Sequence, residues 1–301
     1  MKKLLTLLLA PVLCSFAIAQ EFQAEAYLSK PNGENFQAWI IAATKTQIRY
    51  KVSKVSTEFN DGKIVDFSTI HLIDPPEYTA ALDLFEGRKY KEAQEKFAAY
   101  KAISKPIAAL ADNHHTLSAY YEMECMRILG DYEGLRKALG SFLKEPLTRD
   151  YQLRQLDLYV MWDALGEKAW DRLVIIASQR DAENLPGDQR AQVAFCKGLA
   201  LENLNRPAEA LIEYGIAVTA DSGASELITE QAALNALGIY FKDEAVQTAI
   251  RNWGTEDENK NSPGYTRLLE AAALADLYQK YLSIDKPLSA DAKGFLKYVE
   301  K

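Results

Sequence analysis

The most constraining feature of this chain is the spacing of small residues in residues 198–218, GLALENLNRPAEALIEYGIAV. Gly198 and Ala210 lie twelve residues apart, and Asn205-Arg206-Pro207 interrupts the helix-forming sequence between them. Proline is favoured in the first turn of a helix, where its missing N–H is not needed, so Pro207 marks the start of a second helix. A small residue on each helix lets two backbones approach closely. The segment therefore predicts two closely packed helices joined by a tight turn.

The same pattern recurs along the chain. In residues 82–93 a second copy ends at Ala93 and is followed by Phe97, as Ala210 is followed by Tyr214. A third copy spans residues 128–135, with Leu135 in place of the small residue. Weaker copies fall within residues 151–180 and 230–253, and a final pair of segments spans residues 265–282 and 289–299. Together these segments predict about six helical hairpins over residues 76–300.

This spacing resembles the tetratricopeptide repeat (TPR), which has small residues at its eighth and twentieth positions and a packing position at its twenty-fourth. Gly198, Ala210 and Tyr214 occupy those places here. The resemblance implies a mainly α fold, a right-handed α-solenoid of about six TPR-like hairpins over residues 76–301. Leu135 departs from the pattern, and other α-solenoid repeats are alternatives.

The resemblance also implies a concave groove lined by the first helices of successive repeats. Side chains that combine aromatic, charged and amide groups suit an extended peptide or a partner's helix. The alternative is that several of them are buried between neighbouring repeats. Carried over to this chain, the groove positions are Tyr78, Leu82, Phe85, Leu117, Tyr120, Glu124, Arg127, Ile128, Gln192, Phe195, Leu199, Glu202 and Asn203.

Residues 20–75 differ from the rest of the chain. Alternating apolar and charged residues at 48–52 are typical of a half-buried strand. Asn60-Asp61-Gly62 predicts a tight turn between strands at 56–59 and 63–67. Further strands are expected at 24–29, around Trp39, and at 70–73 before Asp74-Pro75-Pro76. Four or five short strands predict a small barrel or curled sheet that leans on the first helices, and their order weakly resembles an SH3-like or Sm-like barrel.

The first nineteen residues, MKKLLTLLLAPVLCSFAIA, are typical of a secretory signal peptide. Their apolar run is shorter than the ~20 residues that span a bilayer. A retained anchor and a lipoprotein attached through Cys14 are weaker alternatives, because Leu13 stands where a lipoprotein signal needs a small residue. We therefore expect an exported bacterial protein of the periplasm or cell envelope, without stable membrane insertion after cleavage.

The leader holds two of the 35 basic residues and none of the 42 acidic ones, so the rest of the chain has a net charge of −9. An acidic surface favours solubility and disfavours nucleic acids and anionic membranes as partners.

Two cysteines remain after the leader, Cys125 and Cys196, and both lie in apolar helical patterns. Export favours a disulfide. The repeat pattern places them two repeats apart, which favours two buried free thiols instead.

Catalytic and metal-binding motifs are sparse. His114 and His115 follow Asp112-Asn113, which favours a capped helix start over a metal site, since neighbouring histidines point to different sides of a helix. The sequence has no G-x-S-x-G, P-loop or G-x-G-x-x-G motif. We expect neither an enzyme nor a resident metal or cofactor.

These features favour an adaptor that binds a protein or peptide through the concave face. The main alternative is a carbohydrate- or small-ligand-binding envelope protein, which would display an exposed, coplanar aromatic cluster such as one around Tyr159 and Trp162. A hydrolase on a helical scaffold would instead need convergent carboxylates in a deep pocket.

The repeat register predicts the effect of filling a helix contact. Ala210→Tyr places a large ring where two backbones should meet, so we expect a loss of roughly 1–3 kcal/mol of unfolding free energy. Urea denaturation measures it. A variant as stable as the parent would show that the assigned register is wrong.

Overall fold

A computed structural model describes residues 22–299, except 182, 221–225 and 285 and the side chain of Glu226. The predicted leader, residues 1–19, lies outside the described residues. The described chain is mainly helical and carries a small antiparallel sheet at its amino-terminal end.

The sheet has five strands: β1 Ala24–Ser29, β2 Asn35–Ala43, β3 Gln47–Lys51, β4 Asn60–Lys63 and β5 Thr69–Leu72. Their order is β4-β3-β2-β1-β5, and every neighbouring pair is antiparallel. A bulge between Ile40 and Ala42 bends β2 against β3. The number of strands agrees with the prediction. The edge strands β4 and β5 are not paired with each other in the described sheet, so it is open rather than closed into a barrel.

The buried face of the sheet is completed by residues from the helical part of the chain. Ala26, Leu28 and Ile40 are fully buried, and Ile107 and Leu110 belong to the same apolar cluster. The strands therefore contact the helical part of the chain as predicted, mainly through the short 3-10 helix Lys105–Ile107 and the residues after it and less through the first helices themselves.

One predicted hairpin is wrong. Residues 56–59 form no strand, and the supposed turn residues form the edge strand β4 instead. Two contacts explain this: Arg49 and Asp61 form a cross-strand ion pair with 2.8 Å between Nε and Oδ1, and the ring of Phe67 lies 2.9 Å from where a Cβ of Gly62 would be. Gly62 is therefore needed for side-chain packing and not for a turn.

The helices follow in pairs along the chain. Each pair's members contact each other, and the first helices of successive pairs also contact one another. The pairs are α1 Pro76–Glu86 and α2 Tyr90–Ser104, α3 His114–Leu129 and α4 Tyr132–Ser141, α5 Asp150–Gly166 and α6 Trp170–Asp181, α7 Gly187–Asn203 and α8 Pro207–Ala220, and α9 Glu226–Lys242 and α10 Glu244–Asn252.

The carboxyl-terminal region contains α11 Pro263–Leu277, which continues into a π-helical turn at Tyr278–Leu282, and then α12 Ala290–Gly294 and a short 3-10 helix at Phe295–Tyr298. This agrees with the two helical segments predicted at 265–282 and 289–299. No helix in the described part of the chain is both long enough and apolar enough to span a bilayer.

The same turn ends the first helix of four successive pairs. Arg88, Gly130, Lys168 and Asn205 each adopt a left-handed backbone, with φ of 60°, 75°, 56° and 58°. In each turn this residue's N–H bonds the carbonyl three residues back, and the next N–H bonds the carbonyl five residues back. This is the Schellman arrangement, which satisfies carbonyls left free at a helix end. The recurrence shows an internal structural repeat.

The pair α7 and α8 contains the predicted close approach. Gly198 is buried, and Ala210, Tyr214 and Ala217 are fully buried. A Cβ on Gly198 would lie 2.8 Å from two ring carbons of Tyr214. Pro207 is the first residue of α8, as predicted.

Two local predictions are also confirmed. Cys125 and Cys196 are free and buried, and burial raises the pKa of the Cys125 thiol to about 12. Asn113 caps α3, since its side chain accepts a hydrogen bond of 2.8 Å from the Thr116 N–H.

Two glycine substitutions distinguish a packing role from helix propensity. In Gly198→Ala the added methyl group collides with the buried ring of Tyr214, so we expect a loss of about 1–2 kcal/mol of unfolding free energy. Gly215→Ala, on the open side of α8, meets no atom within 4 Å and should add about 0.5–1 kcal/mol. Chemical denaturation of both variants checks this. Two changes of the same sign would contradict it.

Candidate functional site: a cavity lined by alternate helices

A cavity of about 920 Å³ lies along one face of the helical region. Its walls come mainly from α1, α3, α5, α7 and α9, the first helices of five successive pairs. The second helices α2 and α4 contribute only their first residues, Tyr90 and Tyr132. The lining includes Phe85, Tyr120, Tyr121, Glu124, Arg127, Ile128, Tyr132, Arg149, Tyr151, Gln152, Trp162, Asp188, Gln192, Phe195, Gln231 and Lys286.

A buried ion pair on α3 forms part of the wall. Arg127 donates to Oε2 of Glu124 from Nε at 2.9 Å and from Nη2 at 2.7 Å. The other carboxylate oxygen accepts a hydrogen bond of 2.7 Å from the Tyr159 hydroxyl. Burial, the largest single effect, acts to lower the pKa of Arg127, but the charge of Glu124, its hydrogen bonds to Arg127, and the nearby Tyr159 and Tyr120 together raise the pKa above its ordinary value. Burial and then the Glu124 charge raise the pKa of Tyr120 and Tyr159, so both stay neutral at physiological pH.

Aromatic rings continue the wall from α3 toward α7. The Arg127 guanidinium lies 5.2 Å from the ring centroid of Trp162, which is a cation–π contact. Trp162 stacks on Tyr132 at 6.0 Å and contacts Phe195 at 6.1 Å. These contacts hold the charged and aromatic groups in one arrangement.

Three buried glutamines, Gln155 on α5 and Gln189 and Gln192 on α7, join the two helices, and a fourth, Gln152, lies beside them on α5. Gln155 and Gln192 exchange amide hydrogen bonds of 2.9 and 3.0 Å, and Trp162 Nε1 donates to Gln192 Oε1 at 2.9 Å. Gln189 donates to the Tyr151 carbonyl at 2.9 Å. Gln152 is only 4% exposed and lines the cavity, and its Oε1 has no hydrogen-bond partner among the described residues.

The rim of the cavity is polar. Tyr151, which is 42% exposed, donates from its hydroxyl to Asp188. Burial, and then the bond to Asp188, raise the pKa of Tyr151. Arg149 is exposed and lies near Tyr121, whose pKa is raised by burial and partly lowered by this arginine.

The far end of the cavity is held by a carboxylate on α9. Glu230 accepts hydrogen bonds from the backbone N–H groups of Ile284 and Lys286, at 2.9 and 3.1 Å. Lys286 then donates from Nζ to Gln231 Oε1 at 2.7 Å. The segment after the π-helical turn is thereby fixed against α9, where it contributes to the cavity wall.

The structure brings part of the predicted groove together. Seven of the thirteen predicted positions line the cavity: Phe85, Tyr120, Glu124, Arg127, Ile128, Gln192 and Phe195.

The other six positions do not line it. Tyr78 and Leu117 are buried in the core, where Tyr78 packs against Phe97 with ring centroids 6.0 Å apart, and Leu82 and Leu199 are half-buried against the same core. On the last turn of α7, Glu202 accepts a hydrogen bond of 2.7 Å from Tyr214, and Asn203 donates to its own helix at Leu199. Tyr78, Leu82, Leu117 and Leu199 thus belong to the helical core, the alternative that the sequence left open, whereas Asn203 is exposed and lies outside the cavity lining.

The exposed aromatic cluster that the carbohydrate-binding alternative requires is not formed by Tyr159 and Trp162. Tyr159 is fully buried and Trp162 is 4% exposed. Tyr159 instead hydrogen-bonds Glu124, and Trp162 packs between Tyr132 and Phe195.

Sequence reasoning missed several lining residues, among them Tyr121, Tyr151, Gln152 and Asp188. One signal could have found the glutamines. The motif Gln-x-x-Gln occurs at 152–155 and again 37 residues later at 189–192. Buried amides repeated at the period of the helix pairs indicate a shared polar layer between successive repeats.

The histidines are engaged separately. His114 contacts Asp74 through Nε2 at 2.7 Å, whereas His115 contacts the Lys101 carbonyl through Nδ1 at 2.8 Å. Across residues 22–299, apart from the omitted positions, no three His, Cys, Asp or Glu side chains are grouped to hold a metal ion. The chemistry that the cavity offers is hydrogen bonding, aromatic contact and charge.

Comparison with protein-family models, with curated proteins and with solved structures finds no match to this chain.

The buried ion pair should matter more than an exposed one. Glu124→Gln leaves the Arg127 charge buried without its partner, so we expect a loss of about 3–5 kcal/mol of unfolding free energy. The matched control, Glu133→Gln, removes an exposed pair with Lys137 and should leave the urea midpoint nearly unchanged. Equal midpoints for the two variants would contradict the role given to Glu124.

Proposed function

We propose that this chain is a TPR-like adaptor whose cavity binds an extended peptide segment of a partner protein. The observation that carries the proposal is the lining of the cavity by five successive first helices. A surface built this way spreads its contacts along a line. A line of separate anchors suits an extended chain better than one compact ligand.

The finer arrangement belongs to the same proposal. We infer a right-handed α-solenoid, since the turns at Arg88, Gly130, Lys168 and Asn205 repeat and the first helices of successive pairs contact one another. In such stacks each repeat contacts its neighbours and the concave face presents the binding surface.

The composition of the walls supports a peptide ligand. Aromatic rings such as Phe85 and Phe195 supply apolar contact, and the exposed side chains of Arg149 and Tyr151 supply hydrogen-bonding groups at the rim for a peptide backbone. Glu124 and Arg127 neutralise each other within the cavity wall, so the pair does not require a ligand of either charge.

Export to the periplasm or cell envelope of a bacterium is the remaining part of the proposal, and it rests on the sequence of residues 1–19. The partner is then another envelope protein. The proposal includes no chemical step.

Panning a display library of random dodecapeptides against the full mature chain tests the binding function. We expect enriched peptides whose affinity falls at least tenfold in the variant Arg149→Glu/Tyr151→Ala, because both residues lie at the rim of the cavity and are exposed. Fluorescence anisotropy with a labelled peptide measures the affinity.

Ile212→Ser is the matched control, since Ile212 is exposed on α8 and does not line the cavity. It should bind like the parent. Failure to enrich any peptide, or equal affinities for the rim variant and the parent, would overturn the proposed function.

A further inference from the structure

The cavity contains tyrosine hydroxyls that the folded chain does not use. Among the described residues, no hydrogen bond involves the hydroxyls of four tyrosines in its lining, and none of these four oxygens is sealed from solvent: Tyr90, Tyr120, Tyr121 and Tyr132. Burial raises the pKa of Tyr120 and Tyr121, so both hydroxyls keep their protons at physiological pH. Each is therefore a hydrogen-bond donor that a ligand in the cavity can reach.

Tyrosine hydroxyls elsewhere in the chain show which acceptor suits them. Every described tyrosine that donates to a side chain donates to a carboxylate, and the five pairs are Tyr151–Asp188, Tyr159–Glu124, Tyr214–Glu202, Tyr240–Glu270 and Tyr278–Glu230. A hydrogen bond to an ionised acceptor is stronger than one to a neutral acceptor. By the same chemistry, a carboxylate is the partner that suits the unused hydroxyls of the cavity.

The charge of the lining favours the same partner. The lining holds four basic side chains and three acidic ones, although the chain beyond the leader has a net charge of −9. Glu124 and Asp188 already accept hydrogen bonds within the chain, and Glu86 is exposed at the end of α1. Arg149 is exposed, forms no ion pair with a described residue, and lies close enough to Tyr121 for its charge to act on that hydroxyl. A guanidinium beside a phenol donor is a combination that binds a carboxylate.

Resting on the proposed function, we propose that the cavity selects acidic peptides, and that Tyr120, Tyr121 and Arg149 bind an aspartate or glutamate side chain of the peptide. The two tyrosines are consecutive on α3, their ring centroids lie 5.5 Å apart, and both line the cavity. The peptide's carboxylate accepts their O–H groups and neutralises the exposed guanidinium at the rim. These polar groups select one class of peptide, whereas the aromatic rings alone suit any apolar side chain.

The peptides selected by panning provide the first test. They should share an aspartate or glutamate at one position. Replacing it by asparagine or glutamine in a synthetic peptide should weaken binding to the parent chain about tenfold, as measured by fluorescence anisotropy. Amidation of the peptide's carboxyl end should leave the affinity unchanged, because the bound carboxylate belongs to a side chain. Loss of binding on amidation alone would place the terminal carboxylate in the cavity and would overturn the assignment to a side chain.

Two tyrosine variants separate this role from a structural one. Tyr120→Phe/Tyr121→Phe keeps both rings, including the stack of Tyr121 on Phe97 at 5.2 Å, and removes only hydroxyls without a partner in the described chain. Its melting temperature should stay within about 2 °C of the parent. Its affinity for an acidic peptide should fall about tenfold. Tyr214→Phe is the matched control: its hydroxyl donates to Glu202 outside the cavity, so its melting temperature should fall and its affinity should not change.

Combining the peptide and protein changes tests whether the two groups meet. Replacing the acidic residue of the peptide should weaken binding less in Tyr120→Phe/Tyr121→Phe than in the parent, since the variant already lacks part of the carboxylate's contacts. Selected peptides without a shared acidic residue, or equal affinities of this variant and the parent for an acidic peptide, would overturn this inference alone. If panning enriches no peptide, the proposed function fails and this inference fails with it.

Discussion

The helical region depends on one backbone constraint, the left-handed residue that ends four of its first helices. Arg88, Gly130, Lys168 and Asn205 reverse the chain in the same way, and two N–H groups at each turn satisfy carbonyls of the preceding helix. Because each reversal is alike, the first helices come to lie beside one another. Only that arrangement lets residues as far apart in sequence as Phe85 and Gln231 line one cavity.

Sequence predicted the helix pairs best where packing needs a specific residue. Gly198 and Ala210 could be recognised because no larger residue fits where two helices meet. The turns were harder to recognise, because Arg88 and Lys168 adopt a backbone conformation for which glycine is the usual signal. At residues 56–63 a glycine misled the prediction instead. Gly62 suggested a turn, but it lies in a strand, where the absence of a side chain leaves room for the ring of Phe67.

The cavity was only partly predictable for a related reason. Helical spacing places Tyr120, Glu124 and Phe195 on the correct face, but it does not show that Glu202 is held by Tyr214 at the end of α7. Whether a polar atom has a hydrogen-bond partner depends on the packing of helices that are far apart in sequence, so helical spacing alone does not predict it. Repeated glutamines are visible in the sequence, whereas the buried acceptors without a partner on two of them, Gln152 and Gln189, are not. The walls combine satisfied polar groups, which give rigidity, with a few open positions that leave room for recognition.

The apolar layer beneath the sheet makes the two parts of the chain interdependent. Ile107 and Leu110 come from the segment between α2 and α3, yet they are fully or almost fully buried in the cluster formed by the strands. A fragment cut at residue 75 would leave these two side chains in water and would open the underside of the strands. The strands and the segment that joins the first two helix pairs thus share a single core, and neither completes that core alone.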